Sequence, residues 1–373
     1  MATASGTNQT ITRLTPLADV LSIIDTDVKP VTPRTLDVTA AGARALATDA
    51  FAPPRPSSAI SLLDGWALRA DDTLGAGGYS PARLMRAPPR VEAGQTMPPD
   101  TDSVAPLDAV KVSGHGAEAL MTVNPGDGVL AAGGDNDPAI PLRRAGERLR
   151  LTDLAAFAAA GLSRITVREP RLRVLALRGN CIVNAAARVI AGDIERCGGA
   201  ARLDEGSRGL GVAMAADSAD CVVCIGGTGS GRNDTSVQTL MREGRVSVHG
   251  IAVTPGETAA LGFAGAKPVL LLPGRLDAAL AVWLLVGRRM LERLAGSHPK
   301  EEVGTSVPLG RKVSSTVGLS EVVPVRTVGG QAEPLAARYL PLSALARSDG
   351  WILVPPDSEG YSAGSPVTVR PWP

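Results

Sequence analysis

The stretch Asp220 to Leu240, DCVVCIGGTGSGRNDTSVQTL, constrains the chain more than any other. Its opening apolar run, Cys221 to Ile225, is short and β-branched enough for a buried strand. It leads into Gly226, Gly227, Thr228, Gly229, Ser230 and Gly231, then Arg232, Asn233 and Asp234, and a polar stretch suited to start a helix. A strand ending in glycines exposes bare backbone N–H groups at the carboxyl edge of a sheet, where anions bind. Asp234 stands where it would hold a magnesium ion against a bound phosphate. Read locally, the same glycines serve equally as a turn with no ligand.

The surrounding pattern predicts strands alternating with helices from Arg171 onward, the mark of a parallel sheet. RLRVLAL reads as a strand, Asn184 to Arg196 as a helix ending before Gly198 and Gly199, and Lys267 to Leu272 as a strand followed by Pro273-Gly274. A long helix over Asp277 to Leu294 carries Arg288, Arg289 and Arg293 near its C-terminal end, as the helix dipole prefers. Open parallel sheets bind ligands beyond the carboxyl ends of their strands, and both glycine-bearing ends, at Gly226 and at Pro273-Gly274, meet that rule.

Upstream, Thr15 and Pro16 read as N-cap and first residue of a helix with Leu17, Val20, Leu21 and Ile24 on one face. A second amphipathic piece is expected over Ala40 to Ala47. Short apolar runs broken by Pro, Gly and Asp from Pro81 to Val123 suit a small β-rich domain. Thr152 is placed to cap a helix that turns Leu154, Phe157 and Ala158 inward and stops at Gly161. Ser297 to Glu302 reads as a linker, and the tail from Val303, rich in Val, Pro and Gly, as a small β-barrel-like domain.

Composition narrows the function. Lys+Arg 38 against Asp+Glu 37 leaves no footprint for nucleic acid, and 3% aromatics leave no stacking platform for bases. The first residues, MATASGTNQT, lack a signal-peptide core, and no apolar run is long enough to span a bilayer, so a soluble, cytoplasmic protein is expected. Cysteines at 181, 197, 221 and 224 make a poor disulfide framework in 373 residues. Cys221 and Cys224 within one strand point to opposite faces, which argues against a redox or zinc pair. A nucleotide-dependent oxidoreductase built on GGTGSG fits badly. The glycines come too late in the α/β unit, and no acid ends a following strand where a ribose contact needs it.

Seven motifs in order resemble the MoeA-type molybdopterin molybdenumtransferases, the family that includes the gephyrin E domain. RLTPLADVLSII resembles its first helix, SLLDGWALRADDT its SAMDGYAVRAADT, and MPPDTDSVAP its LPAGTDAVVP. IGGTGSGRND sits where the family has SGGVSVGDYD, HGIAVTPGETAALGF is similar to VAMKPGKPLAFG, and LPGRLDAAL to LPGNPVAAL. LSALARSDGWILVPPDSEGYSAGSPVTV looks like the family's last domain.

The resemblance implies an α/β plus β, multi-domain, elongated subunit. Its parts would be a helical linker domain over 11–36 and 137–168, a β-rich inserted domain over 37–136, a parallel-sheet molybdopterin-binding-like domain over 169–300 and a C-terminal β-barrel-like domain over 301–373. It also implies a homodimer whose cleft lies between the α/β domain and another subunit's β-rich domain. There, molybdate and adenylyl-molybdopterin would be the substrates, Mg2+ the metal and AMP a product. A molybdoenzyme or an upstream adenylyltransferase would be a protein partner, with no nucleic acid and no membrane. Both substrates are anions, so such a site needs backbone N–H groups, cations and a metal.

By that resemblance Asp64, Thr101 and Asp234 are the catalytic candidates, with Asp234 and Asp64 on the metal. Ser61, Gly226, Gly227, Thr228, Gly229, Ser230, Gly231, Asn184, Pro273, Gly274 and Arg275 would bind substrate. Without it, Asp64 is a turn former before Gly65, Thr101 a loop residue, and Asn184 a helix N-cap.

The departures gather at the chemistry. TGDEL becomes Arg178-Gly179-Asn180-Cys181-Ile182, the lysine of PGKP becomes Glu257, Thr254 replaces a basic residue, and PGNP becomes Pro273-Gly274-Arg275-Leu276. The asparagine before SAMDGY is Ile60, and AGEDI becomes GGDND, so Asn136 takes the acid's place with Asp135 and Asp137 beside it. A reversed charge at close range is worth roughly a few kcal/mol, against which Arg275 and Arg232 add positive charge. Two readings follow: an insertase, or a degenerate paralogue that binds the pterin or serves maturation without catalysis.

Overall fold

The computed structural model describes residues 9–114, 116–177, 179–205, 209–298 and 304–373. Arg178 and the linker positions 299–302 lie outside them. The chain forms two compact units, one of residues 1–48, 145–150 and 166–373, the other of 49–144 and 151–165.

The larger unit is built on six strands, numbered here in chain order: β1 Arg171–Ala176, β2 Ala200–Glu205, β3 Cys221–Ile225, β4 Arg245–His249, β5 Ala260–Ala264 and β6 Lys267–Leu272. Their order across the sheet is β2-β1-β3-β6-β5-β4. The first four are mutually parallel, and β5 and β4 extend the sheet antiparallel. The strand sequences are apolar throughout because both faces are covered. Leu172, Val174, Val223 and Leu270 pack one way with Ile190, Ile194 and Trp283. Leu175, Val222, Cys224 and Leu271 pack the other way with Leu210, Met214 and Leu240. The expected long helix is present over 276–295 but passes through a π-turn at Trp283–Gly287.

The tail of this unit is β-rich. Ser320–Val328, Gly350–Val354, Pro366–Pro371 and Thr305–Pro308 form a sheet that Val253–Thr254 joins from the α/β part, parallel to Ser320–Glu321. The smaller unit carries two three-stranded sheets and the helix Leu151–Ala159. The architecture is therefore α/β plus β in several modules, as expected.

Three local expectations fail. Ala40 to Ala47 is a 3-10 turn, Val38–Ala40, and a short strand, Ala45–Leu46, paired with Val167–Arg168. Ala43 adopts φ 65°, a left-handed conformation that ends any helix there. Thr15 caps nothing: its N–H donates to Gly250 O (2.9 Å), and the helix runs Leu17–Asp27 with Pro16 just outside it. In the helix Leu151–Ala159, Leu154 and Phe157 are buried, whereas Ala158 is exposed and Thr152 lies inside the first turn.

Candidate functional site at the carboxyl edge of the sheet

At the end of β3, Gly226 (φ 102°) and Gly227 (φ 75°) take the chain through conformations that only glycine adopts without strain. The Gly226 N–H donates to Leu272 O at the end of β6 (2.8 Å), and a Cβ on Gly274 would stand 3.6 Å from Gly226 Cα. The two glycine-bearing strand ends are thus immediate neighbours. Distant residues then fix the loop. Gln9 Nε2 donates to Gly227 O (3.1 Å) and Gly229 O (2.9 Å), and Ser236 Oγ donates to Gly227 O (2.6 Å). Thr228 and Thr258 share a hydroxyl bond (3.0 Å), and the His249 ring reaches Thr228 O (3.2 Å). Carbonyl groups are therefore committed inward. Among the described residues, the N–H groups of Gly227, Gly229 and Ser230 donate to no protein acceptor, which is what an anion needs.

Asp234 closes this loop: its Oδ2 accepts the Gly231 N–H (3.1 Å), and its own N–H donates to Gly231 O (2.9 Å). Its other carboxylate oxygen carries no hydrogen bond among the described residues. No three His, Cys, Asp or Glu side chains converge as a metal cage among those residues. Magnesium needs no such cage where one or two carboxylates and substrate phosphates supply its ligands, so a single Asp234 fits that ion.

The end of β1 lies beside β3, and their connections depart to opposite sides, to β2 and towards β6. Ligands settle at such a switch point. Asn180, not Asn184, caps the helix Cys181–Arg196, its Oδ1 accepting the Val183 N–H (2.9 Å). Asn184 sits in the first turn with its side chain beside Gly179. An open cavity of ≈ 570 Å³ adjoins the glycine loop, walled by Leu177, Leu210, Val212, Ala215, Thr235 and Ser236.

After β6, Pro273 is buried and Gly274 exposed. Arg275 forks onto Asp277 through Nε (3.1 Å) and Nη2 (2.5 Å), with its Cζ 4.8 Å from the Tyr339 ring centroid. The hydrogen bond that Arg275 donates to Asp277 chiefly raises the Arg275 pKa, and the Glu257 charge adds to it. Glu257, where the resemblance expects lysine, accepts the Gly256 N–H (3.0 Å). The reversed charge thus stands near a new arginine. Arg232 is exposed, and Thr254 is buried in its short strand.

The remaining candidates belong to the smaller unit. Ser61 is buried, with its Oγ on Leu63 O (2.5 Å), and Asp64 is exposed, with Oδ1 accepting the Ala93 N–H (2.9 Å). Gly94 N–H donates to Ser61 O (2.8 Å), so one turn meets both residues. Thr101 donates to Pro98 O (2.6 Å) at the other end of the ladder: Asp64 precedes Gly65, which pairs with Pro106, whereas Thr101 precedes Ser103, which pairs with Leu68. Asn136 is buried and spends its Nδ2 on Ala52 O and Pro53 O (both 3.0 Å), a structural use. Sequence reasoning missed Gln9, His249, Ser236 and Thr258. Only Ser236, opening a helix behind the glycines, carried a local signal.

Comparison with known proteins gives this geometry a family. The family model of the MoeA N-terminal region (domain I and II) matches residues 15–161, that of a probable molybdopterin binding domain 204–293, and that of the MoeA C-terminal region (domain IV) 306–372. The chain is 25% identical over 345 residues to the "Putative molybdopterin biosynthesis protein MJ0666" of Methanocaldococcus jannaschii, covering 83% of this chain and 84% of that one. In fold it is similar to a molybdopterin biosynthesis MoeA protein of Pyrococcus horikosii (TM-score 0.78, 24% identity, 96% of this chain and 99% of that). A molybdenum cofactor biosynthesis protein of Pyrococcus furiosus is similar at TM-score 0.57 and 20% identity, over 96% of this chain and 100% of that one. With three matches in order along nearly its whole length, the chain belongs to the MoeA family of molybdenum cofactor biosynthesis proteins.

Proposed function

We propose that this protein is a molybdopterin molybdenumtransferase, which takes adenylyl-molybdopterin and molybdate as substrates and releases AMP. The observation that carries the reading is the loop at Gly227, Gly229 and Ser230. Its N–H groups are free for phosphate oxygens while its carbonyls are pinned by Gln9 and Ser236. Donors fixed before the ligand arrives lose nothing to reorganisation when charge develops on it. Asp234 would hold Mg2+, which would offset the charge of the phosphate. The cavity beside Leu177 and Ser236 gives a flat ring an apolar wall next to that anchor. In this reading the protein works as a cytoplasmic homodimer, supplied by an adenylyltransferase and serving a molybdoenzyme.

One observation favours the degenerate reading, a pterin-binding or maturation partner without catalysis. Glu257 places a carboxylate where transfer of an anion would gain from a lysine. Complementation of a cell lacking its own insertase separates the two. Restored molybdoenzyme activity, lost again in Asp234→Asn, is the expected result. Pterin binding without rescue would replace transfer by the partner role.

A further inference from the structure

Arg275 is built into a device that spans two modules of the larger unit. Its guanidinium edge, Nε and Nη2, is held by Asp277, a carboxylate only 4% exposed, while the arginine side chain itself is 55% exposed. One face of the guanidinium lies over the Tyr339 ring. Tyr339 comes from the C-terminal part, on a segment pinned at both sides. The Arg338 N–H donates to Glu321 Oε1 (2.8 Å), and the Leu340 N–H donates to Asp277 Oδ2 (3.1 Å). Glu321 is itself wholly buried and takes a second bond from Ser315 Oγ (2.6 Å). Two carboxylates therefore clamp a short segment so that its tyrosine meets the arginine. Asp277 serves both the arginine and the segment that supplies the ring.

An arginine held along one edge and one face keeps Nη1 and its open face for a ligand. Little side-chain freedom remains to be lost on binding. Its backbone follows Gly274, which touches Gly226 at the root of the anion loop.

We propose that Arg275 receives a tetrahedral oxyanion of the ligand beside the glycine loop, and that Tyr339 and Asp277 are the positioning residues that aim it. The proposal rests on the anionic ligand of the proposed function and adds the C-terminal part to the site. The same chemistry is presented by the phosphate of AMP and by free molybdate, so each is titrated separately by calorimetry into the full-length protein. Arg275→Ala is expected to weaken binding of at least one of the two about tenfold, the loss of one charge-assisted bond. Tyr339→Leu should weaken the same probe severalfold, and Tyr339→Phe, which keeps the ring, should bind as wild type. Tyr339 is exposed, so neither change threatens folding, and equal melting temperatures check this. Loss confined to AMP assigns the phosphate, and loss confined to molybdate assigns the metal oxyanion. If wild type binds and Tyr339→Leu matches it, the positioning role is overturned while the anion loop stands. If wild type binds neither probe, both the proposal and the transferase reading fall.

Discussion

Gln9 is the residue on which the glycine loop hangs. Its amide donates to two loop carbonyls, and its Oε1 accepts the Gln238 N–H (3.0 Å). The side chain thus bridges the loop to the helix behind it, Ser236–Glu243. Nearly buried hydrogen bonds contribute about 1 kcal/mol each, and more when a partner is left unsatisfied. Gln9→Ala is expected to cost about 2 kcal/mol in denaturant unfolding and to weaken AMP binding, because the freed carbonyls no longer fix which way the N–H groups face. Unchanged AMP affinity in a titration would show that the loop holds its shape without Gln9. Nothing in the sequence announced this contact, since Gln9 and Gly227 lie 218 residues apart and neither sits in a repeating pattern. Asp234 was legible for the opposite reason: it stands three residues beyond Gly231, inside its own turn.

Strand β3 illustrates what pattern alone conveys. Its residues alternate between two buried faces, so Cys221 packs with the Trp283 side of the sheet and Cys224 with the Leu240 side. Burial pushes both thiols well above the ordinary cysteine range. Cys197 is raised less far, by burial and by the charge of Asp193, and Cys181 is exposed at the first turn of its helix. A thiol reagent under native conditions should label Cys181 quickly and Cys197 slowly, with Cys221 and Cys224 reacting only after denaturation. Rapid native labelling of all four would contradict the burial of β3. Strands of this kind were readable because a continuous apolar run bounded by glycines has few other uses. The helix over 276–295 was readable as a helix but not as a bulged one. A Cβ on Gly287 would fall 2.2 Å from the Trp283 ring, a steric matter between two particular side chains. Ala40 to Ala47 misled because alanines favour helix while one of them is held left-handed by its surroundings.

At the scale of the whole molecule, the helices 181–196 and 276–295, which pack together on one face of the sheet, are tied by a buried acid. Asp193 accepts bonds from Trp283 Nε1 (2.7 Å), Arg288 (2.8 and 3.0 Å) and Arg196 (2.5 Å). Burial raises its pKa, but the bond and charge of Arg288, with Trp283 and Arg196, outweigh that and leave it below the ordinary carboxylate range. A carboxylate depressed on folding stabilises fully above its unfolded value and loses that contribution as pH falls through the folded one. Melting temperatures should therefore drop steeply below about pH 4, and Asp193→Asn, already less stable at neutral pH, should flatten that descent. A parallel descent in the variant would assign it to other acids. Of the larger sheet, only the parallel strands β1, β3 and β6 were visible beforehand, in their apolar runs. The ties between modules were not, because they are made by single residues such as Asp277 and Glu321.

Val322 and Trp351 of the C-terminal sheet sit in the same core as Val253, Leu270 and Trp283, and Val253–Thr254 finds its ladder partner in Ser320–Glu321. The tail is thus not an appendage that recombination can exchange or discard. A gene fragment stopping short of it would encode a protein with an open wound of hydrocarbon and an unmated strand, prey for chaperones and proteases before it met any substrate.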